Sequence, residues 1–197
     1  MTNLLQFDET LFHLVNSGCQ NGFFDWLMPL LRNKYIWIPL YLFIVSFLLL
    51  NFKLKGLYLC IALVLTVGVA DSTSSQLLKK NMQRLRPCKV LEPYKSMHLL
   101  VPCGSGFSFP SSHAANHFAI ATSLVLFLGK IFRWIKIPLL LWAGIISFAQ
   151  VYVGVHFPLD VIAGAALGIL IGWGAYLVLS HLPLDLSLDF ETNHLEA

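Results

Sequence analysis

Residues 38–67 read IPLYLFIVSFLLLNFKLKGLYLCIALVLTV. Two apolar runs flank a short break, Asn51 to Lys55, which holds both lysines of the stretch. About 20 apolar residues cross one bilayer as a helix. The stretch therefore predicts two spans joined by a tight, basic connector. Working outward, spans are expected at about 35–52, 56–78, 113–130, 134–153 and 159–180. A second basic break falls at Gly129–Lys136.

The composition agrees with this pattern. Of 197 residues, 57% are hydrophobic and 12% charged, and mean hydropathy is +0.72. A soluble domain is nearer a quarter charged. The expected fold class is all-α and integral to the membrane: a single domain, 1–197, built as a bundle of five to six transmembrane helices. Residues 1–34 mix apolar and polar positions and predict an amphipathic N-terminal segment at the interface, part of which could insert. Asp8 and Glu9 stand where a signal peptide would carry a basic n-region. Residues 79–112 form a polar loop. The tail 181–197 holds Asp185, Asp189, Glu191 and Glu196 and is expected to be exposed. Trp37, Tyr41, Trp134 and Trp173 suit interfacial positions. The net charge of +3 is too small to indicate a nucleic-acid partner.

Counting spans puts 79–112 and 154–158 on one side of the membrane and the connectors 51–55 and 129–136 on the other. The connectors hold Lys53, Lys55, Lys130, Arg133 and Lys136, which fits the cytoplasm. The long loop is basic too, with Lys79, Lys80, Arg84, Arg86, Lys89 and Lys95. The connectors carry more weight, because the loop's cations have a chemical use. The loop then faces an oxidising compartment. A Cys88–Cys103 bond would agree with that, although the spacing leaves the bond open. No cysteine pair has zinc-finger spacing.

The last span carries Gly164, Gly168 and Gly172, a spacing that lets helices approach closely in lipid. Packing inside one subunit is the favoured use, with a homodimer face as the alternative.

Three polar clusters share the loop side. In "KKNMQRLRP", Lys79 and Arg86 are two helical turns apart, which predicts a shared face, and Pro87 is expected to end that helix. In "FPSSHAANH", Ser111 is a natural N-cap, His113 falls in the first turn and His117 one turn later. A helix start of this kind can hold an anion on its amides. In "VGVHFPLD", Pro158 suits a first helical turn. That sets His156 before the helix and Asp160 inside it, close enough for the carboxylate to reach back to the imidazole. Ionisable groups at membrane depth are expensive and default to a functional reading.

Together the clusters supply what phosphoryl transfer through a phosphohistidine requires. His156 is the candidate nucleophile, Asp160 the group that orients it and His113 the general acid. Lys79, Arg86, Ser111, Ser112 and the helix amides are candidates to hold phosphate oxygens.

These residues resemble the motifs of the type 2 phosphatidate phosphatase superfamily. The first motif, Lys, six residues, Arg-Pro, matches Lys79 to Arg86-Pro87. The second, Pro-Ser-Gly-His, matches Pro110-Ser111-Ser112-His113 with serine for glycine. The third, Ser-Arg, five residues, His, three residues, Asp, matches only at His156 and Asp160. Ala149 and Gln150 stand where its Ser-Arg would be. The resemblance implies a six-helix membrane fold and a mechanism without metal or cofactor. The implied partners are a lipid phosphate substrate and membrane lipids.

Glutamine offers phosphate a neutral amide where arginine offers a charged fork. Gln150 is thus a weaker phosphate ligand, and Arg84, two residues before Arg86, is a candidate to supply the missing charge. The expected activity is that of a lipid phosphatase at the outer face of a bacterial inner membrane. Undecaprenyl diphosphate is the favoured substrate, with phosphatidylglycerophosphate, phosphatidate and lipid A as alternatives. Two other classes compete. A zinc hydrolase could use His113 and His117 with Asp160 or His156, but Ala114 replaces the glutamate of a His-Glu-x-x-His motif. A non-catalytic lipid-phosphate binder takes its support from Gln150.

Overall fold

The computed structural model describes residues 2–91 and 97–181. Lys95 and the tail 182–197 lie outside the described residues. Seven main helices follow one another: α1 (Thr2–Asn16), α2 (Gly22–Leu31), α3 (Ile38–Ser72), α4 (Lys79–Met82), α5 (Pro87–Val90), α6 (Ser112–Leu128) and α7 (Lys136–Tyr152). An eighth, α8 (Pro158–His181), completes the bundle.

α3 is two helices folded at Lys53, whose φ of 49° and ψ of −119° break the helical path. Leu48, Phe52 and Leu59 of its two limbs share one core with Leu124 and Leu128 of α6. A Cβ on Gly56 would meet the Leu48 carbonyl oxygen at 1.9 Å, so glycine is needed for so tight a hairpin. Lys34–Val90, Arg133–Tyr152 and Pro158–His181 are long and apolar enough to cross a membrane, and Ser112–Leu128 is a shorter apolar helix. With α3 counted as two limbs, the described residues make five passes.

α1 and α2 occupy the expected N-terminal segment, and α1 buries two polar side chains. Asp8, Phe12 and Asn16, four residues apart, are buried, while Leu4, Leu5, Phe7 and Leu14 are exposed. The buried polar groups Asp8 and Asn16 therefore need partners within the protein. Asn16 finds them in the carbonyls of His98 and Tyr152 and the N–H of His98.

α6 and α8 pack backbone to backbone. Cβ atoms on Gly164, Gly168 and Gly172 would meet the carbonyl oxygens of Ser111, Ala115 and Ala119 at 2.4, 2.2 and 2.7 Å. All three glycines are buried in the chain. The glycine register therefore serves packing inside the subunit, against α6.

Candidate active site

The site is built where α7 ends and α8 begins. α7 closes with a Schellman motif: the Val155 N–H donates to the Gln150 carbonyl at 3.2 Å and the Gly154 N–H to that of Val151 at 3.0 Å. Gly154 has φ +88°, a conformation that favours glycine. The His156 N–H also donates to the Gln150 carbonyl, at 3.2 Å, which fixes the histidine just past the helix. α8 starts with Pro158 at its first position. At the third, Asp160 turns back and accepts the Phe157 N–H at 2.8 Å, the reach-back of a capping box.

His156 is 2% exposed. Its Nδ1 faces Asp160 Oδ2 at 3.5 Å, in ionic contact but longer than a good hydrogen bond. Its Nε2 faces Arg86 Nη1 at 3.3 Å. A carboxylate on the Nδ1 side assigns the proton to Nδ1 and leaves the Nε2 lone pair directed away from Asp160. Burial pushes the imidazole pKa down to about 4, although Asp160 pulls it upward. The ring is thus neutral at neutral pH.

Asp160 is saturated with donors. Arg84 Nη1 reaches its Oδ1 at 2.7 Å, and the Ser108 hydroxyl joins the Phe157 N–H on Oδ2. Arg84 also extends Nη2 to Asp8 Oδ2 at 2.5 Å, and its guanidinium lies over the Phe157 ring. Asp8 in turn accepts the Leu159 N–H at 2.9 Å. Arg84 is therefore committed to two buried carboxylates. The structure gives it a role in holding Asp160, and the expectation that it replaces an arginine at position 150 does not fit this geometry.

Lys79 and Arg86 converge, but not along one helix. α4 stops at Met82 because Gln83 takes a left-handed conformation, φ 48°. Arg86 is extended and is the N-cap of α5, which Pro87 begins rather than ends. The shared-face expectation fails because the chain turns between the two cations. Arg86 is instead held by the carbonyls of Gly106 and Val155, both at 3.1 Å from Nε and Nη1 respectively. A Cβ on Gly104 would sit 3.3 Å from its Cζ, so the loop backbone lies close against the guanidinium. A Cys88–Cys103 disulfide closes this loop, with Cα atoms 6.0 Å apart. Lys79 follows a π-helical segment, Thr73–Leu78, a feature common at functional sites. Ser74 of that segment donates to Ser112 Oγ at 2.9 Å.

Ser111 is the N-cap of α6, as expected. Its N–H donates to the Asp160 carbonyl at 2.8 Å, which docks the start of α6 on the start of α8. His113 stands in the first turn of α6, its ring stacked on that of His117 with centroids 6.4 Å apart, and it feels the charge of Lys79. His117 is structural. Its Nδ1 bonds the His113 carbonyl at 2.7 Å and its Nε2 faces the Tyr41 hydroxyl at 3.1 Å. With both nitrogens committed, the His113/His117 metal pair is not assembled. Among the described residues no three His, Cys, Asp or Glu side chains group to hold a metal ion.

Gln150 is fully buried. Its Oε1 faces Arg32 Nε at 3.4 Å, from the end of α2. Asp8, Ser108 and Arg32 escaped the sequence reading. Asp8 and Arg32 sit in the amphipathic segment, and no local motif marks any of the three.

The PAP2 superfamily model matches residues 55–182. The chain is 35% identical over 192 residues to a lipid A 4'-phosphatase of Bacteroides thetaiotaomicron, covering 96% of this chain and 84% of that one. It is 35% identical over 168 residues to an undecaprenyl-diphosphatase of Sulfolobus acidocaldarius, covering 82% and 73%. The crystal structure of Aquifex aeolicus LpxE superposes with a TM-score of 0.64 at 34% identity, over 84% of this chain and 92% of that one. A transmembrane PAP2-type phosphatidylglycerolphosphate phosphatase from Bacillus subtilis has the same fold, with a TM-score of 0.72 at 24% identity over 92% and 89% of the two chains. Three separated motifs meeting at one end of a five-pass bundle, over residues that the family model matches, have one reading: the chain belongs to the PAP2 superfamily, as a membrane lipid phosphatase.

Proposed function

We propose that the protein hydrolyses a phosphate monoester on a lipid through a phosphohistidine on His156. The observation that carries this is the setting of His156, with Nδ1 toward Asp160, Nε2 toward Arg86 and the ring neutral. Nε2 attacks phosphorus as the bond from phosphorus to the lipid oxygen breaks. His113, protonated once the phosphate dianion sits beside it, gives its proton to that oxygen. The imidazolium that forms keeps its Nδ1 proton facing Asp160, which stabilises the charge. Water then attacks the phosphohistidine, its proton passing to His113, and inorganic phosphate leaves. Lys79, Arg86, Ser111, Ser112 and the Gln150 amide bind the phosphoryl oxygens throughout.

A lipid A phosphate is the favoured substrate, supported by the likeness over nearly the whole chain to a lipid A 4'-phosphatase. Undecaprenyl diphosphate, the substrate favoured from the family resemblance, is the second reading, supported by the likeness to an undecaprenyl-diphosphatase. On this reading the protein belongs in a bacterial inner membrane with the site outside. The disulfide beside the site and the basic connectors at the far end support that orientation.

The test is phosphate release in detergent from lipid A, undecaprenyl diphosphate, phosphatidylglycerophosphate and phosphatidate. Wild type should act best on lipid A, His156→Ala should be inactive on all four, and chelator should leave the rate unchanged. Release by His156→Ala at the wild-type rate rejects the nucleophile. For orientation, Asn81→Cys and Arg133→Cys are compared in a Cys19→Ser/Cys60→Ser background. An impermeant thiol reagent should label Asn81→Cys in spheroplasts and spare Arg133→Cys. The reverse pattern puts the site in the cytoplasm.

A further inference from the structure

Arg32 is the C-cap of α2 and is half-buried. The one hydrogen bond of its side chain among the described residues is Nε to Gln150 Oε1, and no carboxylate there pairs with it. The groups that bear electrostatically on it, or it on them, are Arg86 and His113, members of the site. A half-buried guanidinium that feels a second cation and has no carboxylate paired with it is unfavourable unless an anion enters. Gln150 carries the matching sign. Because Oε1 accepts from Arg32, its Nε2 amide faces elsewhere, and that fully buried donor has no partner among the described residues. The chain of contacts to the nucleophile is short. Arg32 meets the Gln150 side chain, and the Gln150 carbonyl holds the His156 N–H.

α2 holds the arginine ready. Its Asp25 Oδ1 accepts from the Tyr152 hydroxyl at 2.7 Å, at the end of α7, and faces His98 Nε2 at 2.9 Å. The Trp37 indole N–H donates to the Leu31 carbonyl at 2.7 Å, next to Arg32 in sequence. The local backbone is thus tied to α7 and to the start of α3. These ties preorganise the cation.

We infer that Arg32 is a phosphate-binding residue of the active site, supplying from α2 the guanidinium that α7 lacks at Gln150. Gln150 both seats Arg32 through Oε1 and offers its free amide to the same phosphate. The inference rests on the phosphatase reading above and names the cation that completes it. Arg32 lies outside the residues that the family model matches, 55–182, so the N-terminal segment contributes to the site from beyond the shared motifs.

The experiment measures kcat/KM, inhibition by vanadate and thermal stability for four proteins in detergent: wild type, Arg32→Ala, Arg32→Lys and Arg32→Gln/Gln150→Arg. Loss of a charge-assisted contact should lower kcat/KM in Arg32→Ala by roughly 10- to 100-fold. Vanadate inhibition should weaken in parallel while Tm stays near wild type. Arg32→Lys should recover part, because a point charge replaces a fork. Arg32→Gln/Gln150→Arg should recover more, because the guanidinium returns from α7. Arg32→Ala with wild-type kcat/KM and vanadate inhibition overturns the inference and leaves the phosphatase reading intact. Activity lost only in step with Tm, with no recovery in the double variant, overturns it as well. If wild type releases no phosphate yet binds vanadate in an Arg32-dependent way, hydrolysis fails and the Arg32 assignment stands. Neither release nor vanadate binding by wild type rejects both.

Discussion

Asp8 and Asp160 share one guanidinium: Arg84 holds the first at 2.5 Å and the second at 2.7 Å. Both carboxylates are fully buried. Both also brace the start of α8, through the N–H groups of Leu159 and Phe157. The first helix of the chain is thereby bolted to the group that faces the His156 imidazole.

Removing Arg84 leaves two buried carboxylates without their cation. Arg84→Ala should destabilise the protein by about 3–5 kcal/mol, read as a lower unfolding midpoint in detergent, and should reduce kcat sharply because Asp160 loses its position. Asp8→Asn should be milder, since an amide oxygen still accepts the Leu159 N–H. The effects of Arg84→Ala and Gln150→Arg should add, because Arg84 does not bind phosphate in place of an arginine at 150. A strong coupling between the two in a double-variant cycle would restore Arg84 as the stand-in.

The buried His156 sets a pH window for stability. Unfolded, the ring takes a proton near pH 6.5; folded, burial delays this to about pH 4. The folded pKa is depressed, so acid favours the unfolded chain. The stability is fully present above pH 6.5 and is lost as pH falls from 6.5 toward 4. Thermal midpoints between pH 7.5 and 4.5 should therefore fall more steeply for wild type than for His156→Gln. Equal slopes would show that the imidazole titrates normally.

The Cys88–Cys103 disulfide closes a loop of 15 residues in sequence separation. Such a closure contributes about 3 kcal/mol in the chain-entropy account. Gly104 and Gly106, which closely follow Cys103, lie against the Arg86 guanidinium. Reduction should therefore lower Tm and raise KM together. A Cys88→Ser/Cys103→Ser variant should show both effects and no longer respond to reductant. A reductant-induced change in Tm alone would separate the loop from phosphate binding.

The bundle was legible because lipid imposes a simple code: apolar runs of the right length, basic breaks and a glycine ridge. His156, Asp160 and the Ser111 cap were legible because Pro158, Gly154 and Ser111 mark helix ends within a few residues. The Lys79–Arg86 geometry was not. Seven-residue spacing implies one face only if the helix continues, and nothing local announces that Gln83 turns left-handed. Asp8 and Arg32 were hidden for a different reason. Each meets its partners across most of the chain, so only the fold brings them together.

The glycine ridge ties the packing of the bundle to the chemistry. A Cβ on Gly164 would stand 2.4 Å from the Ser111 carbonyl oxygen and 3.0 Å from the Ala114 Cβ. The obstacle is mostly backbone, so the start of α6 must move away from α8. That movement carries Ser111 and His113 away from Asp160 and His156. Gly164→Ala should therefore cost about 1–3 kcal/mol as overpacking and lower kcat beyond what the loss of folded protein explains. Gly174, on the same helix, has nothing within 4 Å of an added Cβ. Gly174→Ala should leave activity unchanged and raise helix stability by up to about 1 kcal/mol. The pair is read by Tm and by kcat per folded molecule. A Gly164→Ala enzyme with wild-type kcat would show that the ridge supports the fold without aligning the two histidines.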